Sequence, residues 1–233
     1  MISIEKLTVR YGSTPVLNGV DLVVDGGQVH GLAGRNGAGK TTLLDALYGF
    51  VRPSGGVIRF RGEPLRSREV VGYLPAQSFF YPKITGREYL GVFRAGHAGF
   101  DVAEWNRVFD LPLERLVETY SLGMRKKLAL LGVLSLGRPV LILDEPFNGL
   151  DLETNQILTR LFRELADAGH TVLLTSHILA SLTTGCDAVH LLSAGRIERT
   201  FRAGEFDGIE AHLLDGEVAG KLDLVRRLVD RGG

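Results

Sequence analysis

Three glycines, a lysine and two threonines stand close together at Gly34, Gly37, Gly39, Lys40, Thr41 and Thr42. The full stretch, Gly34-Arg35-Asn36-Gly37-Ala38-Gly39-Lys40-Thr41-Thr42, fits the pattern G-x-x-x-x-G-K-[ST]. Residues of these types at this spacing hold phosphate. The glycines let the backbone turn successive N–H groups inward onto an anion, and a helix starting near Lys40 adds the positive end of its dipole. Lys40 is expected on the β- and γ-phosphates of a nucleoside triphosphate, Thr41 on Mg2+, and Thr42 near the α-phosphate. Arg35, Asn36 and Ala38 complete the loop. Taken alone, such a loop leaves kinases, GTPases, helicases and transporters all open.

A second element narrows the choice. Val140-Leu141-Ile142-Leu143 is a short apolar run ending in two acids, Asp144 and Glu145, with Pro146 behind them. A run of this kind reads as a buried strand, which delivers its last residues to one edge of a sheet. Asp144 is expected beside Mg2+. Glu145 is placed to polarise a water against the γ-phosphate, the general-base part of phosphoryl transfer to water.

These groups need a scaffold, and the hydrophobic pattern supplies one. Ile2–Val9 alternates, Pro15–Val24 is a second β-rich run, and Gln28–Ala33 is a short buried strand leading into the glycine loop. From Lys40 to Phe50 the period changes, with Leu43, Leu44, Leu47 and Phe50 on one helical face. Val57–Phe60 and Val70–Leu74 return to strand. The middle, about residues 85–137, reads as helical: Thr85 is a plausible cap before Arg87–Phe93, and another helix follows Gly123. Beyond it come the strand Val140–Leu143, a helix over Asp151–Ala168 and the strand Thr171–Thr175. Ala188–Leu192 and Arg196–Phe201 pair around Ser193-Ala194-Gly195, and a weak helix is expected near Lys221–Val229. Alternating strands and helices imply an α/β fold with a mainly parallel sheet, an N-terminal antiparallel β-subdomain and an inserted helical subdomain. Residues 1–233 are read as a single domain.

The bulk properties fit. Of 233 residues, 45% are hydrophobic, enough for a sizeable core. Lys plus Arg and Asp plus Glu number 27 each, and a net charge of zero argues against nucleic acid as the main partner. The one cysteine, Cys186, can form no internal disulfide. The N-terminus has no secretory pattern, and the longest apolar stretch, Leu128–Leu136, falls well short of the roughly 18 residues that span a bilayer.

At this point the pattern resembles the ATP-binding cassette (ABC) family over almost the whole chain. The family signature usually reads Leu-Ser-Gly-Gly-Gln. Here Tyr120-Ser121-Leu122-Gly123-Met124 stands about twenty residues before the paired acids, followed by Arg125-Lys126-Lys127. Ser121 and Gly123 are kept, so a helix start can still point donors at phosphate; Leu122 and Met124 depart from the family residues. Cations in that first turn oppose the helix dipole by about 0.3–1 kcal/mol each. Lys126 and Lys127 read equally as a solvated basic face or as neighbours of a phosphate.

The resemblance implies ATP and Mg2+ as ligands and carries further roles with it. Tyr11 sits where the family places an aromatic on adenine, and Gln77 matches the loop glutamine that touches Mg2+ or the attacking water. Gly149-Leu150-Asp151 resembles the loop that crosses to a partner subunit. His177, just past the strand ending at Thr175, matches the histidine that senses the γ-phosphate. His30, His97, His170, His190 and His212 carry no such placement and are read as structural. One cradle and one signature per chain imply a head-to-tail homodimer, or a heterodimer with a related chain, closing over two ATP molecules. A separate membrane-spanning permease would place the chain in the cytoplasm, peripheral to the membrane. The segment Tyr81–Leu90 and the Tyr-Ser-Leu-Gly-Met signature look like exporter-type cassettes. Phe79, Phe80 and Tyr81 are consecutive, and at least one is expected to be exposed as an anchor for a permease helix. No long coiled-coil insertion and no second cassette are present, which argues against DNA-repair and translation-factor types. Length does not separate the chain from a single-cassette ATPase of a soluble assembly complex.

Overall fold

The computed structural model describes residues 1–93, 99–209 and 227. The chain opens with two long antiparallel strands, β1 (Ile2–Tyr11) and β2 (Thr14–Val24), as the alternating pattern requires. Ile2, Ile4, Leu7 and Val9 point inward from one, Leu17, Val20, Leu22 and Val24 from the other. Strand β3 (Val29–Ala33) is buried at every position and leads into helix α1 (Lys40–Tyr48). That helix is shorter than the hydrophobic period predicts. Gly49 ends it in a left-handed cap (φ 87°), and Phe50, expected on the buried face, is 64% exposed. The Phe50 ring instead folds back edge-on to Tyr48.

Strands β4 (Gly55–Phe60) and β5 (Glu63–Pro64) extend the first sheet in the order β2-β1-β4-β5, antiparallel throughout. A short helix α2 (Ser67–Val70) precedes β6 (Val71–Leu74). The helical insertion then holds α3 (Gly86–Phe93), α4 (Val102–Phe109) and α5 (Leu122–Leu134). Thr85 caps α3 reciprocally: the Glu88 N–H donates to Thr85 Oγ1, and the Thr85 N–H donates to the Glu88 carboxylate at 2.7 Å. Asp101 caps α4 with two backbone bonds.

Next come β7 (Val140–Leu143), α6 (Leu152–Asp167), β8 (Thr171–Thr175), α7 (Leu179–Gly185), β9 (Ala188–Ser193) and β10 (Arg196–Arg202). The second sheet runs β10-β9-β3-β8-β7-β6, parallel except for β10. Ala194 and Gly195, both at positive φ, make the two-residue turn before β10. The helix expected near Lys221–Val229 and the histidines His97 and His212 lie outside the described residues.

Successive residues of the central strands feed two cores. Leu141, Leu143, Val172 and Leu174 pack with α5 and α6 on one face; Val140, Ile142 and Leu173 pack with α1 and the first sheet on the other. Each fully buried Val or Leu contributes about 1.5–3 kcal/mol. Cys186 is part of the first core, its Sγ beside Gly31 of β3, and burial pushes its thiol up to about 12.

One polar device crosses this interior. His30 on β3 and His190 on β9 are 1% and 2% exposed. The Asp25 N–H donates to His30 Nε2, so the His30 proton sits on Nδ1, 2.9 Å from His190 Nε2. His190 Nδ1–H then reaches Thr200 Oγ1 on β10 at 2.9 Å. Both rings are therefore neutral. Burial, the main cause, pushes His30 down to about 4 and His190 to about 3.

Candidate nucleotide site

The glycine loop joins β3 to α1 and is held from the side by β2. A Cβ on Gly39 (φ 105°) would sit 2.9 Å from Leu17 Cδ2, and one on Gly34 would collide with the Leu192 carbonyl oxygen. Only glycine lets the chain pass so close to both neighbours. Lys40 heads α1 and curls back over the loop, its Nζ 2.6 Å from Gly34 O and 3.1 Å from Arg35 O. Burial lowers the Lys40 pKa, and the Glu145 and Asp144 carboxylates oppose that shift.

Thr41, one residue into α1, donates its hydroxyl to Asp144 Oδ2 at 3.0 Å. This bond brings the loop and the acid of β7 together across 103 residues of sequence. Asp144, 3% exposed, has its second oxygen satisfied too: Thr175 Oγ1 donates to Oδ1 at 2.6 Å. The same Thr175 oxygen accepts the Glu145 N–H at 2.9 Å. A threonine hydroxyl offers one donor and two acceptor positions, and both kinds are used here. Glu145 needs that hold, since its φ of 51° is a left-handed conformation that a side chain with a Cβ rarely adopts. From there its carboxylate turns to His177: Oε2 lies 2.8 Å from Nδ1 and 3.3 Å from the His177 backbone N. Lys40, Thr41, Asp144, Glu145 and His177 thus gather at one end of β3, β7 and β8.

Other expected residues stand apart. Tyr11 is 52% exposed at the tip of the β1–β2 hairpin, opposite Thr14. Ser121 caps α5, its Oγ accepting the Met124 N–H at 3.2 Å. Among the described residues no hydrogen bond joins Ser121 or Gly123 to residues 34–42. A Cβ on Gly123 would sit 3.1 Å from the Gly149 carbonyl oxygen, and one on Gly149 would meet Leu122, itself 70% exposed. Gln77 is exposed and lines a cavity of about 290 Å3 with Phe80, Leu122, Arg125 and Lys126. Phe79 and Tyr81 are 73% and 59% exposed, while Phe80 packs into the core.

Two residues escaped the sequence reading. Thr175 looked like the end of a strand, though a hydroxyl closing an otherwise apolar run beside buried acids is a usable signal. Lys126, read equally as a solvated cation, is 7% exposed, and Nζ donates to Ala76 O at 3.0 Å. Burial lowers its pKa, against the pull of Asp144 and Glu145.

A family model described as ABC transporter matches residues 17–148, more than half of the chain. The chain belongs to the ABC transporter family of ATP-binding proteins. It is 30% identical to the bacitracin transport ATP-binding protein BcrA of Enterococcus faecalis, over 95% of this chain and 77% of that protein. It is 33% identical to a Nod factor export ATP-binding protein I of Burkholderia lata, over 84% of this chain and 68% of the relative. Among solved structures it resembles one titled an ATP binding subunit of ABC transporter, with TM-score 0.78 and 28% identity, covering 97% of this chain and 99% of that one. The cassette is thus an ATP-binding, ATP-hydrolysing transport subunit. Among its described residues no helix is long and apolar enough to cross a membrane.

Proposed function

We propose that this cassette powers export of a substrate through a separate permease, closing head to tail with a second cassette over two ATP molecules. The described chain is read as one such nucleotide-binding unit. The observation that carries the chemistry is the Thr41–Asp144–Thr175–Glu145 chain of hydrogen bonds, which holds a carboxylate ready at the end of the phosphate loop. Residues 34–42 cradle the phosphates, Lys40 exchanging its loop carbonyls for phosphate oxygens. Thr41 and Asp144 supply oxygen ligands close to one another, a set that suits a hard cation such as Mg2+, with Gln77 as a further oxygen from its loop. When bound, Mg2+ neutralises charge on the β- and γ-phosphates. Glu145 orients and deprotonates the attacking water, and His177 fixes the carboxylate and contacts the γ-phosphate. Tyr11 stacks on adenine, a contact worth about 1–3 kcal/mol.

The head-to-tail arrangement is supported by the exposed start of α5, where Ser121 Oγ accepts the Met124 N–H and still has its own proton to donate to a partner's nucleotide. Export is supported by the Nod factor export relative and by the signature itself. The permease contact is read at Phe79 and Tyr81, exposed beside Gln77, as anchors for a permease helix; the chain is then peripheral at the cytoplasmic face. Reconstitution with a membrane-spanning partner that binds it tests the reading. ATP should drive substrate out of the compartment that holds the cassette, and uptake toward the cassette would reverse the assignment.

A further inference from the structure

Lys126 sits in the second turn of α5 with its ammonium group buried. Its Nζ is 3.0 Å from the carbonyl of Ala76, the residue before Gln77, and 3.5 Å from the carbonyl of Asp144, the residue before Glu145. No carboxylate pairs with it within 4 Å among the described residues. The Asp144 and Glu145 carboxylates attract the charge without pairing with it, and a buried ammonium held directly by carbonyls is costly compared with an apolar side chain of the same volume. Packing therefore does not account for a lysine here.

The surroundings suggest what does. The cavity of about 290 Å3 separates Gln77, Ser78 and Phe80 from Leu122 and Arg125, so the loop and the helix have room to shift against each other. Among the described residues no other hydrogen bond joins residues 75–80 to α5. At the far side Arg125 ties the helix start to the carbonyls of Val117 and Glu118, so α5 and the turn before it move as one piece. The loop that carries Gln77 and the helix that presents Ser121 are thus pinned by one ammonium.

We propose that Lys126 is a positioning residue that couples the two ATP sites: a shift of Gln77 on this chain's own nucleotide passes through the Ala76–Lys126 bond to Ser121, which faces the partner's nucleotide. This rests on the head-to-tail reading above. The α-helix is stiff over its length, so a displacement at its second turn reaches its cap. The coupling belongs in the 5–150-fold range usual for linked sites.

The test compares full-length wild type, Lys126→Met and Lys126→Arg. Lys126→Met should bind a fluorescent ATP analogue within about twofold of wild type as a monomer. Its kcat should fall about tenfold, and its Hill coefficient for ATP should drop toward one. Lys126→Arg, which keeps a charged donor, should recover most of both. Lys126→Leu, which likewise has no donor, replaces the methionine variant if that one does not fold. Unchanged kcat and cooperativity in Lys126→Met would overturn the proposal. So would a loss of monomer ATP affinity as large as the loss of kcat, or equal defects in the Met and Arg variants. Glu145→Gln serves as the control for the underlying reading. If that variant stays monomeric with ATP, the sandwich itself is wrong and the coupling falls with it; a failure confined to Lys126→Met leaves the ATP-bound dimer in place.

Discussion

Glu145 Oε2 and His177 Nδ1 stand 2.8 Å apart, joining the ends of β7 and β8 at the tip of the phosphate site. With the proton on Nδ1 the imidazole donates to the carboxylate, which fixes the direction of its lone pairs. The side chain of Glu145 is 18% exposed and that of His177 56%, so the acid is sheltered and the histidine open. A carboxylate held this way is oriented in the chain as it stands, as the base proposed above would need to be.

Glu145→Gln keeps shape and hydrogen bonding but cannot accept a proton. It should retain ATP affinity while turnover falls about 10²–10⁴-fold, the range for a lost general base. Because hydrolysis reopens the proposed sandwich, the variant should also elute as a dimer in ATP. Near-normal turnover would mean that another group activates the water.

Lys40→Ala and Ser121→Arg should separate the two halves of a composite site. The first removes the cation proposed to meet the β- and γ-phosphates and should abolish nucleotide binding by the isolated chain. The second should leave monomer binding nearly intact and block ATP-dependent dimerisation, by bulk and charge at the helix start. Equal loss of monomer affinity in both would refute the head-to-tail arrangement.

Thr175→Val keeps the shape of the strand end but strips both hydrogen bonds. Asp144 Oδ1 and the Glu145 N–H would be left without partners in a buried place, a cost of about 1–3 kcal/mol each. A urea midpoint should report that loss. The larger effect should be on kcat, because Glu145 relies on the bond to keep its left-handed backbone. Thr175→Ser should restore both.

Stability should depend on pH through His30 and His190. Their folded pKa values, about 4 and about 3, lie below the ordinary value of 6.5, so between these limits the unfolded chain binds more protons. Stability is thus full above pH 6.5 and is lost as pH falls toward 4. The slope is about 1.4 kcal/mol per pH unit for each histidine. Urea titrations at pH 7.5, 6 and 5 measure it. A His30→Asn, His190→Asn double variant should flatten the slope over that range; an unchanged slope would place the acid sensitivity elsewhere.

The legible parts of this molecule are those whose chemistry is contiguous in sequence. Gly34 to Thr42 and Val140 to Glu145 announce their strand, turn and helix because neighbouring residues share one task. Thr175 and Lys126 have their partners 31 and 50 residues away, and a lone threonine or lysine carries no mark of what it will face. Phe50 misled for a local reason. Its position continued the apolar face of α1, but a left-handed glycine before it turned the chain away. The histidine relay was equally hidden, since His30 and His190 meet only when β3 and β9 align.

Cys186 has a practical consequence. With the sequence's one thiol enclosed beside Gly31 and held protonated at neutral pH, the native cassette should be nearly inert to maleimides. A dye coupled to a cysteine placed at Tyr81 would then report from that surface alone, without a cysteine-free background having to be made first. The same silence makes Cys186 a clock. Under denaturant its labelling rate counts the openings that expose the strand β3 core, so one residue serves both as a blank for spectroscopy and as a meter of unfolding.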